Sequence, residues 1–476
     1  MKKLNQTITI ENSCNLIGKA KDVFAPMKEA ITNSLDAVAH RQKINANFSP
    51  KLSLSIYFKT EKDLFGNEMY LLDFITIEDN GIGFTKENWE RFKKLAETTR
   101  GFNNQGTGKI QIFCRFNELS IDSTFFEDNK WYKLNAKFKR TSEYEDKLEE
   151  IRKQSDTKTV IKISSFSGDN KENDYFLNYL VNIDTLKQDI LKRFLLRLWI
   201  SNTNNTLNLA IKTYLDGAEQ AGYVFTKDNI PTPEKEEKIV INTEQVQIIN
   251  PKKEKGKIQI EWLKIMPEHE ILIQRFKLPS NEMDENGVYI CSKDIVVEQI
   301  KFPGIKRKDA NYSGFRYITC IRGEILNDST YVSHTVDKFI FPYKKETESD
   351  LILGNKYLFN QDGKYIFRDE IDDKVGKGLS NIYSDVETLR EERDRDIEEL
   401  AKQYGISLED AEVSNIAIND TEEQATVKLF ETQAKRFAKE NMDIQKTYTE
   451  NETPRGKPRG ICCSYIDSNK SNCLSS

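Results

Sequence analysis

Within residues 28–37, Glu29, Asn33 and Asp36 stand at i, i+4 and i+7, so a helix would carry all three on one face. That face suits a metal-bound nucleotide. The amide oxygen of Asn33 can ligate Mg2+, a hard cation that prefers oxygen donors, without adding a negative charge beside phosphates. The carboxylate of Glu29 can orient and deprotonate an attacking water. Met27, Ile31, Leu35 and Val38 recur at helical spacing on the other side, an apolar stripe for packing on a sheet. Two glycine-bearing stretches follow: Asp79-Asn80-Gly81-Ile82-Gly83 and Gly106-Thr107-Gly108-Lys109.

The order of these three motifs resembles motifs I, II and III of the GHKL ATPases, the group containing DNA gyrase, the ninety-kilodalton heat-shock chaperones, sensor histidine kinases and MutL. A fourth family element, a Gly-Thr dipeptide opening a strand, has a partial counterpart in which Thr159 fits but Lys158 stands where glycine is usual. The resemblance covers about the first 170 residues. It implies ATP and Mg2+ as ligands, with Glu29 as general base, Asn33 on the metal and Asp36 near the polar network. It also implies that Asp79 accepts from the adenine amino group, selecting adenine over guanine, because an ionised carboxylate only accepts. Gly81 and Gly83 would permit close backbone approach beside the base, a role compatible with a simple Asn-Gly turn. Gly106, Thr107 and Gly108 would face the phosphates at a helix start, Lys109 would add a charge, and Thr159 would complete the nucleotide contacts. A lone Gly-x-Gly is more commonly a turn, so this assignment leans on the order of the motifs.

Periodicity supplies the elements that must position these groups. A helix is expected over 22–44, strands over 52–58 and 69–78, and a short helix over 86–96. The polar stretch 98–105 before Gly106 suits a mobile lid. Strands over 118–126, 131–139 and 159–165 complete the expected fold, an α/β sandwich of the Bergerat type with a mixed sheet covered on one side by helices. Residues 143–158 read as a charged, solvated insertion.

The expected domain order is an ATP-binding domain over 1–170, a helical connector and linker over 171–257, and a transducer-like α/β domain over 258–375. A helical or coiled-coil region over 376–450 and a disordered tail over 451–476 would follow. The connector carries a broad apolar face, Ile183, Leu186, Ile190, Leu191, Phe194, Leu195 and Leu198. The charged, proline-bearing stretch 226–257 reads as a linker. In the helical region Ile382, Val386, Leu389, Arg393, Ile397, Leu400 and Tyr404 track a near-heptad seam. Lys306-Arg307-Lys308 and Lys338 are visible candidates for a basic phosphate contact from the second domain, though each reads more readily as solvated charge.

Composition sets the outer bounds. The chain has 476 residues, 38% hydrophobic, enough for two or three domains with substantial cores. Lys and Arg number 71 against 76 Asp and Glu, a net charge of -5, so any DNA contact must be local. Seven cysteines without CxxC pairing read as reduced thiols, and three histidines make a histidine-rich metal centre a poor expectation. No signal peptide is seen and no run approaches the roughly 18 apolar residues of a membrane helix, so the reading is cytoplasmic with no membrane partner. By resemblance, the expectation is an ATPase whose nucleotide state drives closure or homodimerisation. Its expected setting is a bacterial DNA-processing or anti-phage system, with a protein partner such as a nuclease. The alternatives are a heat-shock-type chaperone and a non-hydrolysing nucleotide sensor.

Overall fold

The computed structural model describes residues 2–3, 9–45, 47–93, 107–152, 156–204, 207–248, 260–305, 314–333, 337–353, 363–407, 409, 416 and 420–451. The lid stretch, Gly106, Lys306-Arg307-Lys308 and residues 452–476 lie outside the described residues, and Thr107 and Gly108 are described as backbone only. The chain divides into two compact units, Met1–Arg390 and Glu391–Ser476.

The first unit contains two mixed sheets with helices, an α/β architecture. Its amino-terminal elements are β1 (Lys2–Lys3), α1 (Ile10–Ile17), α2 (Ala25–Ile44), β2 (Lys51–Lys62), β3 (Glu68–Asp79), α3 (Lys86–Lys93) and α4 (Thr107–Phe113). Then come β4 (Phe116–Glu127), β5 (Lys130–Lys139), β6 (Glu143–Ile151), β7 (Lys158–Phe166), α5 (Asn170–Val181), α6 (Ile183–Asn204), β8 (Asn208–Leu215) and β9 (Ala218–Phe225). Their strands form one nine-stranded sheet in the order β1-β6-β5-β4-β7-β3-β2-β8-β9. All neighbours are antiparallel except β2 and β8.

One face of this sheet is apolar and the other charged, as period-two alternation dictates. Leu54 and Ile56, Ile75 and Ile77, Leu119 and Ile121, and Ile161 and Ile163 are buried. The intervening positions carry cross-strand ion pairs, Lys158–Glu78 at 2.8 Å, Lys133–Asp122 at 3.3 Å and Lys137–Glu118 at 2.9 Å. Helix α2 presents its expected stripe to the core: Met27, Ile31, Leu35 and Val38 are all at most 3% exposed. Burial of each such side chain stabilises the fold by about 1.5–3 kcal/mol. Pro26 in the first turn supplies a helical φ where no backbone donor is needed.

The stretch 143–158, expected to be only a charged insertion, contains a strand: residues 143–151 pair into the sheet while their side chains stay at the surface. This strand is β6, hydrogen-bonded to β5 along its length and to the short β1 on its other edge. Backbone pairing holds such a strand while charged side chains project outward, as in the Lys130–Glu150 pair at 2.8 Å. Likewise, residues 207–225 are not connector but β8 and β9, which extend the first sheet. The stretch read as a linker contains β10 (Pro233–Ile248).

β10 belongs to the second sheet, with β11 (Ile260–Pro279), β12 (Gly287–Ser292), β13 (Ile295–Ile300), β14 (Phe315–Gly323) and β15 (Lys364–Tyr365), in the order β13-β12-β14-β11-β10-β15. The Glu-Lys run that suggested a linker is neutralised across the strand. Glu234 meets the fully buried Arg275 at 3.1 Å, Lys235 meets Asp385 at 2.9 Å, and Lys238 pairs with Glu270. Ile239 and Ile241, directly after this run, turn inward.

Helix α7 (Lys344–Leu353) and the long α8 (Arg368–Tyr404) follow, the latter starting before the expected 376. In the second unit, the end of α8 and α9 (Glu422–Asn451) enclose a small core of Ile397, Leu400, Ala401, Ile406, Ile416, Ala425 and Leu429. The expected seam is only partly a seam, since Leu389 and Tyr404 are each 44% exposed. Among the described residues no helix is long and apolar enough to cross a membrane.

Candidate functional site

Asp79 ends β3 and is 3% exposed. Its Oδ2 accepts from the Ser34 hydroxyl at 2.8 Å and its Oδ1 from the Gly81 backbone N–H at 2.9 Å. Burial pushes its carboxyl up to about 6, against the downward pull of those two hydrogen bonds. The register places Thr159 of β7 opposite Asp79, and Ser123 of β4 opposite Thr159. The two hydroxyls are 2.9 Å apart, and both residues are buried. A row of Asp79, Thr159 and Ser123 thus crosses the helix-facing side of the sheet, where neighbouring inward positions are isoleucine, leucine and phenylalanine.

Helix α2 is pressed onto the turn after Asp79. A Cβ added at Gly81 would stand 2.5 Å from the Ala37 carbonyl carbon and 2.7 Å from the Val38 nitrogen. The Ile82 N–H donates to the Ala37 carbonyl at 3.2 Å. Gly83 has φ +75°, the left-handed region, and its Cβ would meet Phe125 Cβ at 2.6 Å and Ser123 Oγ at 3.1 Å. Asn80 ties the turn to the start of β2: its Oδ1 accepts from Lys51 N at 2.8 Å and its Nδ2 donates to Ser49 O at 2.9 Å. Arg41 of α2 closes the other side, donating to Asn80 O at 2.5 Å and Thr157 Oγ1 at 2.6 Å and pairing with Asp156 at 2.6 Å.

On the outer face of α2, Asn33 Nδ2 donates to Glu29 Oε1 at 3.0 Å, which leaves the Asn33 amide oxygen available to a cation. Asp36, also exposed, is engaged by Arg197 of α6 at 2.7 Å rather than by the Asp79 cluster. Lys109 of α4 lies 4.4 Å over the Phe92 ring. Burial lowers its ammonium to about 8, while the negative charge of Glu29 pulls it back up.

The structure brings Asp79, Gly81, Gly83 and Thr159 together against the helix that bears Glu29 and Asn33. Gly106 lies outside the described residues, and α4 begins at Thr107. Lys338 is exposed, and its carbonyl accepts from the Ser333 N–H at 2.9 Å. His40 is an exposed helix residue, and Cys14, Cys114, Cys291 and Cys320 are buried free thiols. Ser34, Ser123, Arg41, Thr157 and Arg197 were missed by the sequence reading. Ser123 left a signal: it interrupts the inward series Leu119, Ile121, Phe125 with a hydroxyl.

No family model matches the chain, and no curated protein matches it. Among solved structures, the N-terminal domain of a DNA repair protein is similar at a TM-score of 0.40 and 12% identity, over 80% of this chain and 98% of that one.

Proposed function

We propose that the protein binds Mg-ATP and hydrolyses it at the site formed by α2 and the Asp79 turn. The observation that carries this reading is the contact at Gly81, where α2 approaches so closely that no side chain fits. That contact holds α2, which bears an amide-carboxylate pair suited to a metal-phosphate, against the turn that carries a buried carboxylate suited to an amino group. Asp79 would accept from the adenine amino group, with Gly83 and the Ser123–Thr159 hydroxyls beside the base. Asn33 would give Mg2+ a neutral oxygen and Lys109 a positive charge to the phosphates. Mg2+, when bound, neutralises phosphate charge. In hydrolysis the water oxygen bonds to the terminal phosphorus, the bond to the ADP oxygen breaks, and Glu29 takes the water's proton.

The GHKL resemblance of the ordered motifs supports the same assignment and suggests a nucleotide-driven switch within a DNA-processing or anti-phage assembly. A co-purifying nuclease would favour that setting over a chaperone. The direct test of the base assignment is calorimetry with Mg-ATP and Mg-GTP on the natural chain and on Asp79→Asn. ATP is expected to bind more tightly than GTP, and the substitution to weaken ATP by about tenfold or more, the loss of a charge-assisted hydrogen bond. Equal affinities for the two nucleotides would refute the adenine assignment.

A further inference from the structure

Helix α6 holds the α2 region at two points one turn apart, and the two are built differently. Arg193 is fully committed. Its Nε and Nη2 grip both oxygens of Asp22 at 3.1 and 2.7 Å, and its Nη1 donates to Asp189 Oδ1 at 2.7 Å. The Tyr175 and Tyr179 hydroxyls close the network on Asp189 at 2.7 and 2.6 Å. Arg197 has one hydrogen-bond partner among the described residues: Nη2 donates to Asp36 Oδ1 at 2.7 Å. Its side chain is 16% exposed against 55% for Asp36. A largely covered guanidinium therefore holds a carboxylate that faces solvent beside Asn33.

Asp36 follows Asn33 by three residues on the helix, a spacing that puts their Cβ atoms about 5–6 Å apart. A guanidinium at Asp36 thus has an alternative acceptor within a side chain's reach once phosphate oxygens occupy the Asn33 face. Its forked donors match phosphate as well as carboxylate. An ion pair made through one nitrogen to a carboxylate that is more than half exposed opens at modest cost, because water can take over that carboxylate. We propose that Arg197 exchanges Asp36 for the terminal phosphate of the bound nucleotide, so that the Asp36–Arg197 pair is a latch that reads the third phosphate. This rests on the Mg-ATP reading of the site. Asp36 is then the place-holder for a phosphate.

The same helix provides the output. Away from α2, Lys192 of α6 pairs with Asp284 at 2.9 Å and Glu285 at 3.2 Å, and Lys187 meets Glu282 at 3.5 Å. Trp199, two residues after Arg197, packs edge-on against Phe276 of β11 with ring centroids 5.9 Å apart. A change of partner at Arg197 is therefore transmitted to the second sheet through a helix already tied to it.

Calorimetry on the full chain with Mg-ATP and Mg-ADP, together with Trp199 emission assigned by Trp199→Phe, tests the latch. Arg197→Ala is expected to weaken ATP about tenfold and leave ADP unchanged. Asp36→Asn, which frees Arg197, is expected to tighten ATP by about threefold and again spare ADP. Trp199 emission should respond to ATP more than to ADP in the natural chain and lose that difference in Arg197→Ala. Should Arg197→Ala fail to fold, Asp36→Asn and Arg197→Lys carry the comparison. Variants that shift ATP and ADP alike, or that move ATP affinity in the same direction, would overturn the latch and leave an ordinary structural ion pair. A natural chain that binds neither nucleotide would overturn the site reading, and the latch with it.

Discussion

At the scale of single residues, Asp79 and Lys109 are ionisable groups whose burial opposes the charge that the proposed nucleotide site requires. Burial lifts Asp79 to about 6, and an adenine amino donor favours its ionised form, so affinity should rise as pH climbs through 6. Burial lowers Lys109 to about 8, and phosphate favours its charged form, so affinity should fall as pH passes 8. Calorimetric titration of Mg-ATP across pH is therefore expected to trace a bell. Asp79→Asn should remove the acid limb and Lys109→Arg the alkaline one; a flat profile in the natural chain would contradict both roles. Asn33→Ala is expected to lose metal-dependent nucleotide affinity and hydrolysis together, read from binding with and without Mg2+. Glu29, Asn33 and Asp79 could be proposed from the sequence because residue type, spacing and the order of the motifs single them out. Ser34 and Arg197 were not, since a serine beside Asn33 and an arginine 161 residues from Asp36 acquire meaning only once packing supplies their partners.

Elements explain why the site is rigid and why part of the fold was misread. Gly81→Ala would drive a methyl into the α2 backbone, which cannot step aside as a flexible side chain does. The expected cost is about 1–3 kcal/mol with loss of nucleotide binding, read as a lower urea midpoint. Gly376→Ala, in α8 with nothing within 4 Å of its added Cβ, is expected instead to stabilise by about 0.5–1 kcal/mol. If both variants melted alike, the close approach of α2 would not be what holds the turn. Helix α2 and the strands β2, β3, β4 and β5 were legible through their apolar alternation. β6 and β10 were not, because partners in other strands or α8 neutralise charges that in one dimension look like solvated surface. The turn at 79–83 read correctly as a turn, but its contact with Ala37 is a tertiary fact.

For the whole molecule, a net charge of -5 confines any nucleic-acid contact to a local patch, and the proposed function makes nucleotide-driven rearrangement the property to test. A Mg-ATP complex that cannot turn over should accumulate the closed state. Light scattering on Glu29→Ala is therefore expected to show a doubled mass with Mg-ATP and a monomer without it. An unchanged monomer at saturating ATP would refute nucleotide-driven dimerisation. A dimer under both conditions would move the coupling into an existing assembly, for which the helical unit after Arg390 is the first candidate. The central claim, that the α2 face and the Asp79 turn form a hydrolytic ATP site, is tested most directly on one preparation of Glu29→Ala assayed for both Mg-ATP binding and phosphate release. Retained binding with phosphate release abolished is the predicted result; release at the rate of the natural chain would contradict it.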